Sequence, residues 1–227
     1  FYGGSFTAAF SQGLMLGGMV QGIRVGVYPA SPWNEVAYVL EHSDAEFVIC
    51  EDQEQTDKVL EAWPDLPKLK HCIAIDMKGL RYYPEPPSAF EDIEARGREF
   101  ETQHPNLVDE LLDSQQMDDT ALMIYTSGTT SVPKGCRLSH GAFVRNAAAE
   151  QERFAITEDD CLWDPLPFFH VSSLLPMVAS MWAGAAYATD THFDVDRALE
   201  QIYRLEPTIL FPAFPAIMGD LLSHEDF

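Results

Sequence analysis

The stretch Tyr125-Thr126-Ser127-Gly128-Thr129-Thr130-Ser131-Val132-Pro133-Lys134-Gly135 comes directly after the apolar run Ala121-Leu122-Met123-Ile124. Apolar residues without polar alternation, cut off by turn formers, read as a strand buried on both faces. The stretch is then a loop at the carboxyl end of that strand, where open α/β sheets bind ligands. Gly128 and Gly135 let the backbone turn its N–H groups inward. The hydroxyls of Thr126, Ser127, Thr129, Thr130 and Ser131 add donors, and Lys134 adds a point charge, a set that suits an anion. A Ser/Thr-rich surface turn has the same composition. The buried strand before the loop and the single Lys after Pro133 favour a site.

Charge distribution points the same way. The chain of 227 residues carries 36 Asp and Glu against 14 Lys and Arg, a net charge of −22. Residues 126–149 nevertheless contain no acid and hold Lys134, Arg137 and Arg145. Such local positive charge in an acidic chain suggests a place prepared for phosphate. The overall acidity argues against non-specific binding to nucleic acid or anionic membrane. The run 6–20 is apolar but too short and too interrupted for an integral membrane segment, so a buried helix over 6–21 is expected. The cysteines, at 50, 72, 136 and 161, have neither C-x-x-C nor metal spacing. They are expected to be reduced, mostly buried thiols of a cytoplasmic protein.

Around the loop, strands alternate with helices. Strands are expected near 23–27, 46–50, 71–76, 161–164, 185–188 and 208–211. Helices are expected over 33–41, 53–63, 139–153, 171–182, 195–205 and 215–222. Ser31 reads as the N-cap of the first of these, with Pro32 at N1, and Ser88-Ala89-Phe90-Glu91 reads as a capping box. The acidic segment 91–119 reads as two modest helices joined near His104-Pro105. The fold class implied is α/β, with mostly parallel sheets and crossover helices. The acidic bridge divides a first lobe, 1–118, from a lobe carrying the loop, 119–227. The helix after the loop is expected to point its positive N-terminus back at the anion.

A second constellation is Pro165-Leu166-Pro167-Phe168-Phe169-His170, where two prolines fix the chain at a strand end ahead of an aromatic pair and a His. A packed aromatic loop with a surface His accounts for it equally well. A third, residues 207–215, is apolar and Pro-punctuated, and reads first as a core strand with its turn. The loop is not a Walker A motif, since Gly128 to Lys134 does not fit its spacing. No G-x-S-x-G elbow supports a hydrolase triad. His42, His71, His104, His192 and His224 are read as ordinary surface or satisfied residues.

The residues from Tyr125 to Gly135, with Leu138-Ser139-His140 behind them, resemble the phosphate-binding signature of the adenylate-forming (AMP-binding) superfamily. Ser131 stands where that family usually has Gly. The resemblance implies that this chain is part of the large N-terminal domain of such an enzyme. It also implies an ATP-dependent acid–thiol ligase that makes an acyl-adenylate and then a coenzyme A thioester. Thr126 would help place Mg²⁺, and residues 126–131 with Lys134 and Gly135 would hold the phosphates of ATP. Lys134 and His170 are the implied catalytic residues. Phe168, Phe169 and His170 would shape the acyl pocket, with His170 positioning rather than transferring a proton. Residues 26–50 and 76–80 look most like long-chain fatty acyl-CoA synthetases, which suggests a fatty acid as the carboxylic acid.

The family also needs a Gly-Tyr-Gly-x-Thr-Glu-like segment, a ribose-binding Asp segment and a small C-terminal domain with its own Lys. These do not occur between Phe1 and Phe227. The chain is therefore expected to be an internal piece of a longer protein, inactive by itself. The alternatives are a nucleotide- or acyl-binding remnant without turnover, or an adenylation domain for an aryl or amino acid. Acyl length, thiol acceptor and oligomeric state are left open.

Overall fold

The computed structural model describes residues 22–83, 85, 87–126, 132–166, 170–190 and 193–227. The expected helix over 6–21, the loop residues 127–131, the aromatic pair with Pro167, and His192 lie outside that set. The chain divides into two compact units. One is Val27–Ser114 with Tyr125–Gly135; the other is Gln115–Ile124 and Cys136–Phe227 with the described part of Phe1–Gly26.

In the first unit, Phe47–Cys50 (β2), His71–Ala74 (β3) and Ser88–Ala89 (β4) form a parallel sheet. Helix α1, Trp33–His42, buries Val36, Val39 and Leu40 along one stripe, as i, i+3, i+4 spacing requires. Helix α2, Gln53–Ala62, is N-capped by Asp52, which accepts from the Gln55 N–H at 3.0 Å. Both helices close over Cys50, Cys72, Leu66 and Leu69. The acidic bridge forms α3, Phe90–Gln103, and α4, Leu107–Ser114, as expected.

Two expected caps are corrected. Pro32, not Ser31, is the N-cap residue of α1, and no side chain bonds there. Ser88 does not cap α3, because its backbone is used in pairing with Ile73. The thiols also differ in part from expectation. All four are free, Cys50 and Cys72 are buried, but Cys136 is exposed and Cys161 half-buried. The Sγ atoms of Cys50 and Cys72 lie 3.9 Å apart. Register sets Cys72 opposite Val48 and Cys50 opposite Ala74, so the two are diagonal neighbours. Diagonal Cα spacing of about 7–8 Å exceeds what a disulfide spans.

Two further sheets are formed. Arg24–Val25 (β1) runs parallel to Thr120–Thr126 (β5), which is flanked on its other side by Lys134–Ser139 (β6). Cys161–Trp163 (β7) lies between Ala186–Ala188 (β8) and Ile209–Leu210 (β9), parallel to both. Helices α5, His140–Phe154, and α6, Val171–Ala183, pack Phe143, Leu174 and Met177 on Ala121, Leu122 and Ile124 of β5. Helices α7, Val195–Leu205, and α8, Pro215–Ser223, close over Trp163. Gly184 ends α6 at φ 77, the left-handed conformation that its missing Cβ makes cheap. The α/β class with small parallel sheets and crossover helices is as the sequence implies. No helix among the described residues is long and apolar enough to cross a membrane.

Candidate active site

Strand β5 delivers the loop. Ala121 and Leu122 have no exposed surface, Ile124 and Tyr125 are buried, and Thr126 is the first exposed residue. The chain returns at Val132 and enters β6 at Lys134, beside β5 in the same sheet. Thr126 and Lys134 thus mark the two ends of the segment, and both are exposed. Residues 127–131, including Ser131, lie outside the described set.

Helix α1 braces both ends. Tyr38 Oη donates to the Pro133 carbonyl at 3.0 Å. One turn on, His42 Nδ1 is 2.7 Å from the Tyr125 hydroxyl. The Tyr125 ring meets His42 edge-on, with centroids 5.6 Å apart and planes at 81°, and meets Tyr38 at 6.3 Å and 85°. Burial, then the neighbouring Tyr38, pushes the Tyr125 hydroxyl above its ordinary pKa, so it stays protonated. By sequence alone His42 reads as an ordinary residue, and Tyr38 carries no signal of its own. Their i, i+4 spacing is visible there, but nothing local couples them to partners 83 and 95 residues away.

Two expected sources of positive charge are corrected. Arg137 donates Nε and Nη2 to Thr120 Oγ1, at 3.0 and 2.7 Å, at the end of β5 away from Thr126. The first N–H groups of α5 are also already taken. His140 N–H donates to the Asp119 carbonyl at 3.0 Å and Gly141 N–H to the Met117 carbonyl at 2.8 Å. Ser139 Oγ accepts from Ala142 N–H at 3.3 Å. Lys134 is the exposed first residue of β6.

The second constellation belongs to the other unit. His170 is the N-cap of α6, and its Nδ1 accepts from Ser172 N–H at 3.1 Å and contacts Ser172 Oγ at 2.8 Å. A ring nitrogen that accepts a backbone N–H bears no proton, so Nε2 carries it. At the other end of the segment Asp164 is fully buried. Its Oδ1 accepts from Leu166 N–H and its Oδ2 from Tyr187 Oη, at 2.8 and 2.7 Å. Burial pushes the Asp164 carboxyl up to about 6, against these hydrogen bonds, which pull it down. Phe168 and Phe169 lie outside the described residues. In the third segment, Leu210 to Pro215 and Met218 line an open apolar groove of about 350 Å³.

Of the residues read as ordinary, His71 stacks on Phe47 at 5.1 Å, and His104 packs on Phe100 at 4.3 Å. His224 Nε2 lies 3.0 Å from Asp196. Among the described residues no group of three or more His, Cys, Asp or Glu is placed to hold a metal ion.

Known proteins place this architecture. Residues 15–227 match the family described as AMP-binding enzyme. A long-chain-fatty-acid–CoA ligase of Rattus norvegicus is 26% identical over 203 residues, which is 82% of this chain and 26% of that ligase. A 2-succinylbenzoate–CoA ligase of Bacillus subtilis is 37% identical over 108 residues, 48% of this chain and 22% of that protein. The chain thus spans about a quarter of the length of the curated relatives it matches. Among solved structures, a provisionally named long-chain-fatty-acid CoA ligase of Rhodopseudomonas palustris superposes with a TM-score of 0.74 at 22% identity. That alignment covers 93% of this chain and 49% of the other. With a buried strand delivering the Tyr125–Gly135 signature, a Lys at the return, and the match over 15–227, the chain belongs to the AMP-binding enzyme family.

Proposed function

We propose that the protein to which this chain belongs activates a carboxylic acid with ATP and transfers the acyl group to coenzyme A. The observation that carries this reading is the Thr126–Lys134 segment, presented at the end of a buried strand in a chain of the AMP-binding family. In the first step a carboxylate oxygen attacks the α-phosphorus and the bond to pyrophosphate breaks. In the second the thiol sulfur attacks the acyl carbonyl and AMP leaves. Two anions must meet in the first step, so the site has to align them and neutralise charge.

In this reading the N–H groups and hydroxyls of Ser127, Gly128, Thr129, Thr130, Ser131 and Gly135 hold the β- and γ-phosphates. Lys134 offsets their charge, and Thr126 offers its hydroxyl to a phosphate-bound Mg²⁺. His170 presents Nε2–H to the reacting carboxylate, a donor that orients without moving a proton. Phe168 and Phe169 shape the acyl pocket. Likeness to fatty-acid CoA ligases supports a fatty acid, and a cytoplasmic setting suits the free thiols. An aryl acid is the second reading, supported by the likeness to 4-coumarate and 2-succinylbenzoate CoA ligases at 34% and 37% identity.

The test is ATP–pyrophosphate exchange by the full-length protein against a panel of fatty and aryl acids. Exchange driven by fatty acids supports the proposal, and exchange with aryl acids alone supports the second reading. ATP binding with no exchange for any acid would leave a nucleotide-binding remnant and sink both.

A further inference from the structure

We propose that Tyr38 and His42 are positioning residues for ATP, acting as a two-point brace on Tyr125 and Pro133, which place Thr126 and Lys134 at the two ends of the phosphate segment. This rests on the ligase reading above and deepens it. The two side chains are one helical turn apart on α1 and share a face. Each takes one end of the segment: His42 holds the Tyr125 side chain and Tyr38 holds the Pro133 carbonyl. The anchors differ in kind, and both suit the task. Tyr125 is 3% exposed and its ring meets both Tyr38 and His42 edge-on, so the start of the segment is fixed by packing as well as by the hydroxyl. Pro133 lacks an N–H and is held by its ring at φ, leaving its carbonyl as the handle. A hydrogen bond to that carbonyl orients the peptide plane leading into Lys134, and therefore the root of the cation.

Fixing Tyr125 and the peptide leading into Lys134 in advance lowers the ordering cost of binding phosphate beside them, so a protein without the two contacts would bind ATP more weakly. The brace acts on the nucleotide side of the reaction and touches nothing assigned to the acid, which separates it from general stabilisation.

The experiment uses the full-length protein with Tyr38→Phe, His42→Ala, His42→Asn and, as control, Tyr82→Phe, whose side chain is 95% exposed. Calorimetric ATP affinity and exchange kinetics are read for each. Tyr38→Phe and His42→Ala are each expected to weaken ATP binding and raise its KM by about fivefold, the worth of one net hydrogen bond. The KM for the acid should move by less than about twofold, the effect of distant surface changes. His42→Asn, which puts an amide near the Nδ1 position, should recover much of the loss, and Tyr82→Phe should behave as wild type.

Unchanged ATP affinity in Tyr38→Phe and His42→Ala would overturn the brace while exchange by the wild type left the ligase reading standing. Equal rises in both KM values, with a matching fall in melting temperature, would reduce the pair to a structural role and also overturn it. If the wild type binds ATP without exchanging, the calorimetric ratios still decide the matter. A wild type that binds no ATP would remove the ligase reading and the brace together.

Discussion

The Tyr187 hydroxyl donates a 2.7 Å hydrogen bond to Oδ2 of Asp164, a carboxylate with no exposed surface. The bond lies where β7 passes into the Pro165–His170 segment, and Ser173 Oγ, 3.1 Å from the same hydroxyl, extends it to α6. Burial keeps the Tyr187 hydroxyl protonated, so it remains the donor.

This arrangement makes stability depend on pH in a stated direction. The folded-state pKa of Asp164 is raised, from 3.8 to about 6, so the folded protein binds a proton that the unfolded chain has released. The stabilisation is fully present below pH about 4 and is lost as pH rises through about 6, with a size of roughly 3 kcal/mol. Asp164→Asn keeps an acceptor for Leu166 N–H and removes the charge. Denaturant unfolding from pH 4 to 7 should show the gap between variant and wild type widening in favour of Asn. A constant gap would contradict it. Other acids, such as Asp160 with its lowered pKa, cancel in that difference.

Two glycines in helices should respond oppositely to alanine. A Cβ on Gly141 would meet the Met117 carbonyl at 2.9 Å and Arg145 Nη1 at 2.8 Å. Gly141 N–H already bonds that same carbonyl, so the backbones cannot separate without losing it. Gly141→Ala should cost about 1–3 kcal/mol in spite of its better helix propensity. Gly97, exposed inside α3, has nothing within 4 Å of its would-be Cβ, and Gly97→Ala should gain about 0.5–1 kcal/mol. Thermal melts of the two variants check the pair.

Lys134→Ala tests the cation of the phosphate segment. With Arg137 tied to Thr120, its replacement should lower exchange activity by about 10²–10³-fold, the usual effect of deleting one charge-stabilising donor. Circular dichroism should stay at the wild-type melting temperature, because Lys134 is exposed. Full exchange activity in the variant would refute the assignment.

His170 caps α6, and substitution can part that from the acid-orienting role proposed for it. Asn is a good N-cap, so His170→Asn should keep α6 stable, whereas His170→Ala should cost about 1 kcal/mol. If Nε2–H orients the acid, both variants should raise the KM for the acid to a similar degree. Equal KM values in Asn and wild type would confine His170 to capping.

Much of this was legible in residue order. Apolar residues 121–124 announced a buried strand, whereas Lys134 and Gly135, read as loop, open strand β6. Asp194, which accepts from Arg197 N–H, and Gly184 began or ended helices where their chemistry required. Errors arose where a residue had two uses. Ser88 could cap a helix or pair in a sheet, and pairing with Ile73 decided it. Arg137 could face phosphate or a neighbouring strand, and Thr120 took it.

The family, the strand–loop order and the chemical character of the phosphate segment come from short-range pattern, because propensity, periodicity and motif spacing act over a few residues. The contacts at its two described ends do not. The contacts of Tyr38 with Pro133 and of His42 with Tyr125 join positions 95 and 83 residues apart. The burial that raises Asp164 comes from elements that meet only in the folded chain. Long-range contacts depend on which surfaces remain unpaired after the sheets assemble. For that reason the sequence alone suggested a phosphate site at the loop, and only the tertiary structure showed the contacts that Tyr38 and His42 make with Pro133 and Tyr125.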